Sequence, residues 1–238
     1  MVDDRTNARV VGALFILATA AAIIGGTLVL PIEDADTVAA VLADQSQVVA
    51  GIAIELVLVL GVVGIATMLY PILRRVDAGL ALSYVGIRVL EAVLLMTATT
   101  SALVFVELAR ATSSTDLDPV AETLVVARAA IYDLGGLVVF GVSAVLLNSL
   151  LGWGRLVPAW LWRWGLIGGA LLVVRGIGQL FGTDFPAIWQ ALLAGPIAVN
   201  EMALAIWLIV RGYHPTSTPA PNPTPASDTS PVAASTAA

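Results

Sequence analysis

The sequence contains no cysteine and no lysine, and it has a single histidine, His214. Without cysteine the chain has no disulfide framework, no thiolate nucleophile and no cysteine-ligated metal. The 11 basic residues, all arginine, are outnumbered by 17 acids and form no basic patch of the kind that binds phosphate backbones. We therefore expect no nucleic-acid partner, no metal and no cofactor.

Charge of either sign is scarce. Only 12% of the residues are charged and 59% are hydrophobic, and the mean hydropathy is +0.96. These values lie far outside the balance of a soluble domain. The use of arginine alone as the base, with abundant Ala, Val and Gly, is typical of a GC-rich bacterial genome. The composition predicts a bacterial protein of the cell membrane, with the lipid bilayer as its main partner.

Six apolar runs are long enough to cross the hydrocarbon layer of a bilayer, which takes about 20 helical residues. They do not alternate polar with apolar residues, as a membrane strand would. Their approximate bounds are 10–30, 48–73, 80–106, 126–151, 160–181 and 188–210. The first run exceeds the roughly 7–15 apolar residues of a signal peptide, and acids precede it, so we predict a retained helix. The predicted fold is all-α, a bundle of six transmembrane helices.

The arginines predict the orientation, because basic residues gather in cytoplasmic segments. They lie before the first run, in the second and fourth connections and after the sixth run, whereas the other three connections are acidic. The arginines assigned to the cytoplasmic side are Arg5, Arg9, Arg74, Arg75, Arg155, Arg163 and Arg211. Both termini are therefore predicted to be cytoplasmic.

These assignments divide the chain into three parts. Residues 1–9 form a cytoplasmic N-terminus, and 10–211 form the six-helix transmembrane domain. Residues 212–238 are rich in Pro, Thr, Ser and Ala and carry almost no large apolar side chain. Such a composition cannot bury enough surface to fold, so we predict a disordered cytoplasmic tail.

Arg88 and Glu91 interrupt the third apolar run near the middle of the bilayer, roughly 12–17 Å from its cytoplasmic start. A charge at that depth costs about 2.5–3.5 kcal/mol on insertion scales. We therefore expect both side chains to face the bundle interior and to pair on one helix face. At least one of Glu55, Asp133 or Arg175 is expected to reach them.

Further polar residues at comparable depth are predicted to join the pair in one buried cluster. The predicted cluster, a candidate functional site, comprises Glu55, Tyr84, Arg88, Glu91, Asp133, Arg175, Gln179, Asn200 and Glu201. Two residues are interpreted as accessory. Arg128 is predicted to be a rim anchor at the outer surface, and Asn148 is predicted to help satisfy Glu201 from the inner half.

The charges of the cluster allow a structural and a functional interpretation. Arg88 and Glu91 either orient helices as a bridge or line a path for a substrate or for protons. The cluster's four acids outnumber its two arginines, so two carboxylates remain over. A surplus carboxylate in a low-dielectric site can carry a proton.

The chain contains the segments "LYPILRRVDAGLALSYVGIRVLEAVLLM", "YDLGGLVVFGVSAVLL", "RLVPAWLWRWGLIGGALLVV" and "VNEMALAIWLIVRG". Together they resemble the bacterial integral membrane proteins gathered as domain of unknown function 4386. The resemblance covers roughly residues 8–212, and its most specific points are the Arg88 and Glu91 motif, Pro158 and Glu201. It implies six helices and an uncharacterised role, with no established catalytic or binding residues.

Two functional classes remain open. A small proton-coupled transporter or permease, of unknown substrate, is favoured by surplus acids and by charges from several helices converging at one depth. A non-transporting membrane scaffold or signalling subunit, working as a homo-oligomer or with another membrane protein, is favoured by short loops and would hold every buried charge in a structural pair. A membrane enzyme is the third class, and its metal-ligand spacings are missing. The discriminating observation is whether the cluster borders a water-accessible cavity.

Overall fold

The computed structural model describes residues 3–32, 44–111 and 118–214. Within these residues it contains six long helices and no strand. They are α1 (Asp4–Val29, continued by a 3-10 turn, Leu30–Ile32), α2 (Gln45–Leu73), α3 (Ala78–Ala111), α4 (Asp118–Asp133, Leu134–Val139 and Phe140–Trp153), α5 (Ala159–Leu180) and α6 (Ala187–Val210). Each is long and apolar enough to cross a membrane. The all-α fold and the six spanning helices are confirmed, and together they indicate a membrane protein.

The six helices form a closed ring. Each helix packs against the next one along the chain, and α6 packs against α1. Small residues allow the closest approaches, because a backbone without a side chain can lie against its neighbour. A Cβ added at Gly12 of α1 would lie 2.6 Å from the carbonyl oxygen of Ala205 in α6, and one at Gly168 of α5 would lie 2.8 Å from the backbone nitrogen of Ile197. The ring is therefore held tightly where α6 meets its two neighbours.

Helix α4 is irregular in its middle. The segment Leu134–Val139 is π-helical and joins two α-helical segments without a break. It contains Gly135 and Gly136, and a Cβ at Gly135 would lie 3.0 Å from the Leu94 Cβ of α3. A π-helical turn widens the helix by one residue and frequently marks a functional position.

The start of α1 and the end of α6 lie at the same end of the bundle. The guanidinium of Arg5 donates hydrogen bonds to the carbonyl oxygens of Arg211 (3.3 Å) and Val210 (3.0 Å). Arg75, in the connection between α2 and α3, donates two hydrogen bonds to the Asp4 carboxylate, at 2.6 and 2.9 Å. We call this the terminal end of the bundle, and the opposite one the distal end.

The residues that follow α6 fold back on the terminal end. The Tyr213 hydroxyl donates to the Asn7 side-chain oxygen (3.0 Å), whose amide donates to the Met68 carbonyl (2.7 Å). Burial raises the pKa of Tyr213, so its hydroxyl keeps its proton. The backbone nitrogen of His214 donates to the Leu156 carbonyl (2.8 Å). The first residues of the predicted tail therefore pack on the bundle, and the remainder, 215–238, lies outside the described residues.

Of three clusters of buried apolar residues inside the ring, one joins α4, α5 and α6, and the other two form layers at different depths. The larger one fills the terminal half, and a smaller one joins α1, α2 and α3 near the distal end. Fully buried members of the larger layer include Leu73, Leu150, Leu151 and Leu161. Because lipid tails are as apolar as leucine, these layers stabilise the bundle through close packing and not through removal of surface from water. The polar side chains lie between the two layers and beside them.

Candidate functional site

Arg88 and Glu91 form an ion pair inside the ring. One guanidinium nitrogen of Arg88, Nη1, donates to both carboxylate oxygens of Glu91, at 2.9 and 3.2 Å. Both side chains are 4% exposed. The guanidinium also lies 5.5 Å from the centre of the Phe140 ring, and Nη1 is 3.5 Å from the Ser143 hydroxyl of α4. The two charges therefore pair and face the interior, as their spacing predicts.

Glu55 pairs with Arg128 and not with Arg88. The Arg128 guanidinium donates to both oxygens of the Glu55 carboxylate, one of them at 3.2 Å, and to the Ala98 carbonyl at 2.8 Å. The Thr99 hydroxyl donates to the same carboxylate at 2.9 Å. Glu55 is fully buried and Arg128 is 4% exposed. The predictions that Glu55 belongs to the Arg88 cluster and that Arg128 is a rim anchor are both wrong.

The position of Arg128 within its helix explains this correction. The apolar pattern predicts that the fourth span begins near residue 126, two residues before Arg128. Asp118 and Pro119 predict that the helix itself begins before this span, and α4 does begin at Asp118, so Arg128 lies ten residues inside the helix, about 15 Å from its start. At this position its guanidinium reaches the Glu55 carboxylate, which holds the charge within the protein, where exposure to lipid would be costly.

A third polar group joins α4, α5 and α6 nearer the distal end. The Gln179 amide donates to the Asp133 carboxylate at 3.4 Å, and Arg175 lies close enough to interact with that carboxylate electrostatically. Arg175 also donates to the Gln190 side-chain oxygen at 3.1 Å, and the Gln190 amide donates to the Phe185 carbonyl at 2.8 Å. Sequence reasoning missed Gln190. The available signal was an amide three residues into α6, where lipid-facing positions are apolar.

Glu201 of α6 lies across the ring from Arg88. It is half-buried and close enough to Arg88 and to the buried Tyr84 to interact with them electrostatically. In the part of the chain that the structure describes, Glu201 makes no hydrogen bond and no ion pair. Its neighbour Asn200 donates to the Leu161 carbonyl of α5 at 2.8 Å.

A cavity of about 300 Å³ occupies the centre of the ring, and all six helices line it. Arg88, Glu91 and Glu201 form its polar end. The other lining side chains are mostly apolar, among them Phe15, Leu58, Val62, Leu95, Leu172 and Ile197. The π-helical segment of α4 contributes Gly136 and Leu137 to the wall. The ion pair and Glu201 therefore border open space.

A smaller cavity of about 10 Å³ continues from the polar end toward the terminal end. Tyr84, Asn148, Asn200 and Glu201 border it. This volume is about what one water molecule requires, and the walls offer the polar partners that a water needs. Asn148 donates to the Ala144 carbonyl of its own helix at 2.9 Å. The predicted hydrogen bond from Asn148 to Glu201 is therefore wrong, although both residues border the same space.

The larger cavity opens through the side of the ring, between α1 and α6. The lining residues along this opening are Thr19, Ala22, Ile23, Ala194 and Ala198. Ile23 is 64% exposed, and Ala198 is also exposed. Toward the terminal end, α1 and α6 meet closely where Gly12 lies against Ala205. The two helices therefore touch in the terminal half and leave a gap beside the cavity.

The predicted single cluster is thus divided into separate groups around the cavity. Glu201 and the Arg88–Glu91 pair form the polar end of the cavity, with Tyr84 and Asn200 behind it. The other two groups are Glu55 with Arg128, and Asp133 with Arg175 and Gln179. The Glu55–Arg128 group adjoins the cavity wall, since the Arg128 guanidinium lies 5.7 Å from the centre of the Tyr132 ring, which lines the cavity.

A family model described as Domain of unknown function (DUF4386) matches residues 10–212. No curated protein and no solved structure matches the chain. The matched range includes every residue that lines the central cavity. The match assigns no activity, so function has to be argued from the cavity and its charges.

Proposed function

We propose that this chain, which belongs to the family Domain of unknown function (DUF4386), is a small membrane transporter. Its substrate would occupy the central cavity. The observation that carries this proposal is the cavity of about 300 Å³, lined by all six helices and charged at one end. That volume lies at the lower end of ligand pockets, which measure about 300–1,000 Å³. Transporter sites also typically lie near the bilayer midplane, among several helices.

We further propose that Glu201 carries a proton during transport. Glu91 is committed to Arg88, whereas Glu201 makes no hydrogen bond or ion pair among the described residues. A carboxyl group without such a partner can take up and release a proton without breaking a salt bridge. The small polar cavity beside Asn148 and Asn200 supports a water-assisted path toward the terminal end.

The orientation in the cell membrane is part of the same proposal. Three arginines, Arg5, Arg75 and Arg211, lie at the terminal end of the bundle. Because arginines gather on the cytoplasmic side, we propose that this end, with both termini, is cytoplasmic.

Reporter fusions at four positions test this orientation. Fusions after residues 77 and 155 are expected to report a cytoplasmic location, and fusions after residues 40 and 115 an external one, because each position is separated from the next one along the chain by one spanning helix. The measurement uses a dual reporter, in which an enzyme is active only outside the cell membrane and a fluorescent protein fluoresces only in the cytoplasm. A cytoplasmic signal at residue 40 together with an external one at 77 would reverse the proposed orientation.

Glu201→Gln tests the transport mechanism. The neutral isostere leaves packing unchanged, so the amount of protein in the membrane is expected to stay normal while substrate-driven proton movement is lost. The measurement uses proteoliposomes with a pH-sensitive dye inside, to which cationic, neutral and anionic amphipathic compounds are added in turn. In the wild type at least one class is expected to change the internal pH.

Glu107→Gln is the matched control, since Glu107 is an exposed acid near the distal end of α3. It is expected to behave as the wild type does. If Glu201→Gln lowers membrane abundance strongly, or leaves the proton signal intact, Glu201 is structural and the proton-coupled mechanism is wrong. If no compound changes the internal pH of wild-type vesicles, the scaffold or signalling interpretation is favoured instead.

A further inference from the structure

We infer that the central cavity binds a lipophilic cation, which reaches the cavity from the lipid through the opening between α1 and α6. The ligand class is an amphipathic molecule with one positively charged nitrogen and an apolar body. This inference rests on the proposed transport function, and it names the substrate class and the route of access.

The charges at the polar end of the cavity select a cation. Two carboxylates, Glu91 and Glu201, face one guanidinium, Arg88. The Nη1 atom of Arg88 is committed to both oxygens of Glu91. An anionic ligand would therefore approach two carboxylates and an arginine that is already paired. A cationic ligand finds the Glu201 carboxylate without a hydrogen bond or an ion pair in the described part of the chain.

The remainder of the cavity suits an apolar body. Leucine, valine and isoleucine side chains from α2, α3, α5 and α6 line it, so a hydrocarbon or aromatic group would leave no polar partner unsatisfied there. Phe15, Tyr132 and Phe140 add aromatic rings near the charged end. Aromatic faces attract cations, and this attraction strengthens where water is excluded. The wall thus favours a bulky organic cation over a small hydrated ion.

The gap between α1 and α6 provides the route of access. Its rim consists of small or exposed side chains, and Ile23 on this rim is 64% exposed at a depth about 28 Å along α1. The outer faces of both helices are apolar at this depth, as lipid-facing surfaces are. A lipophilic cation concentrates in the bilayer, so it meets the opening from the side without crossing an apolar layer of the protein. In the terminal half, the contact of Gly12 with α6 closes the same seam.

A proton and the cation would compete for one carboxylate. When the cation binds, protonated Glu201 releases its proton to water, and the carboxylate that remains pairs with the positive charge of the ligand. Charge balances, with one cation bound for one proton released. This competition couples the movement of the substrate to the movement of protons in opposite directions.

Three probes with one apolar body test the ligand class on the purified full-length protein. They are (2-naphthylmethyl)trimethylammonium, its neutral isostere 2-neopentylnaphthalene, and the anion 2-naphthylmethanesulfonate. We expect the cation to bind at least about tenfold more tightly than the isostere, with proton release in a weakly buffered solution, and the anion to bind most weakly. Glu201→Gln should remove this preference and the proton release, whereas Glu201→Asp, which keeps the charge, should retain both.

The outcomes separate this inference from the transport proposal. Equal binding of cation and isostere, or stronger binding of the anion, overturns the cation class but leaves a ligand cavity in place. Binding of none of the three probes to folded wild-type protein contradicts both proposals. Preserved cation preference in Glu201→Gln would overturn the role of Glu201 in recognition.

The route of access is tested by narrowing the rim. Ala198→Trp is expected to slow association of the cation from lipid vesicles about tenfold. Ala170→Trp is the matched control, because Ala170 is an exposed alanine of α5 that does not line the cavity. It should leave the association rate unchanged. Equal rates in both variants and in the wild type would overturn access between α1 and α6.

Discussion

Arg128→Met is expected to destabilise the folded protein by about 3–5 kcal/mol, the usual effect of removing one partner of a buried ion pair. Glu55 is fully buried, and Arg128 donates to both of its carboxylate oxygens. After the substitution, the Thr99 hydroxyl still donates to the Glu55 carboxylate, but one neutral donor cannot compensate a buried charge. The measurement is the fraction of monodisperse protein after heating in detergent.

Two further variants isolate the stranded charge as the cause. Arg110→Met removes an arginine that pairs with Glu107 on the exposed surface, so it should cost only about 0–1 kcal/mol. The double variant Glu55→Gln/Arg128→Met should recover most of the lost stability, because it leaves no unpaired charge. If the double variant is as unstable as Arg128→Met, the loss comes from packing of the long side chain and not from the charge on Glu55.

The helices and the burial of the charges could be predicted from the sequence because each depends on local information. An apolar run of about 20 residues specifies a spanning helix wherever it occurs. Arg88 and Glu91 lie three residues apart, so their pairing follows from helix geometry alone. The cost of charge in lipid then requires that both face the interior.

The partners between helices could not be predicted in the same way. Glu55 and Arg128 are 73 residues apart, and their pairing depends on how α2 and α4 are placed relative to each other. The sequence predicts where α4 begins, but it does not show which residue of α2 lies beside Arg128.

The shape of the cavity depends on residues that are spread over the whole transmembrane domain. Its walls come from all six helices, and its opening depends on where α1 and α6 separate beyond Gly12. The cavity is the small space that the side chains of the six packed helices leave unfilled. No single segment of the sequence determines its size. The π-helical turn at Leu134–Val139 also lies at a contact between helices, since α3 packs directly against its first glycine.

The charge count around the cavity predicts that Arg88 and Glu91 differ in their tolerance of substitution. Arg88→Gln leaves Glu91 and Glu201 bordering one cavity with no cation between them. Glu91→Gln leaves Arg88 close to Glu201, which can take the place of the lost partner. We therefore expect Arg88→Gln to lower the stability by about 3–5 kcal/mol, and Glu91→Gln by about 1–3 kcal/mol, the cost of a partly unsatisfied buried group.

This difference is checked by measuring thermal stability in detergent. The variants are Arg88→Gln, Glu91→Gln and the double variant Arg88→Gln/Glu201→Gln. The double variant removes one of the two stranded acids, so it should be more stable than Arg88→Gln alone. This gain would mean that Arg88 compensates both carboxylates across the cavity. Equal losses for Arg88→Gln and Glu91→Gln, with no recovery in the double variant, would instead mean that the ion pair acts alone. Glu201 would then be electrically independent of Arg88, and its proton could move without disturbing the pair.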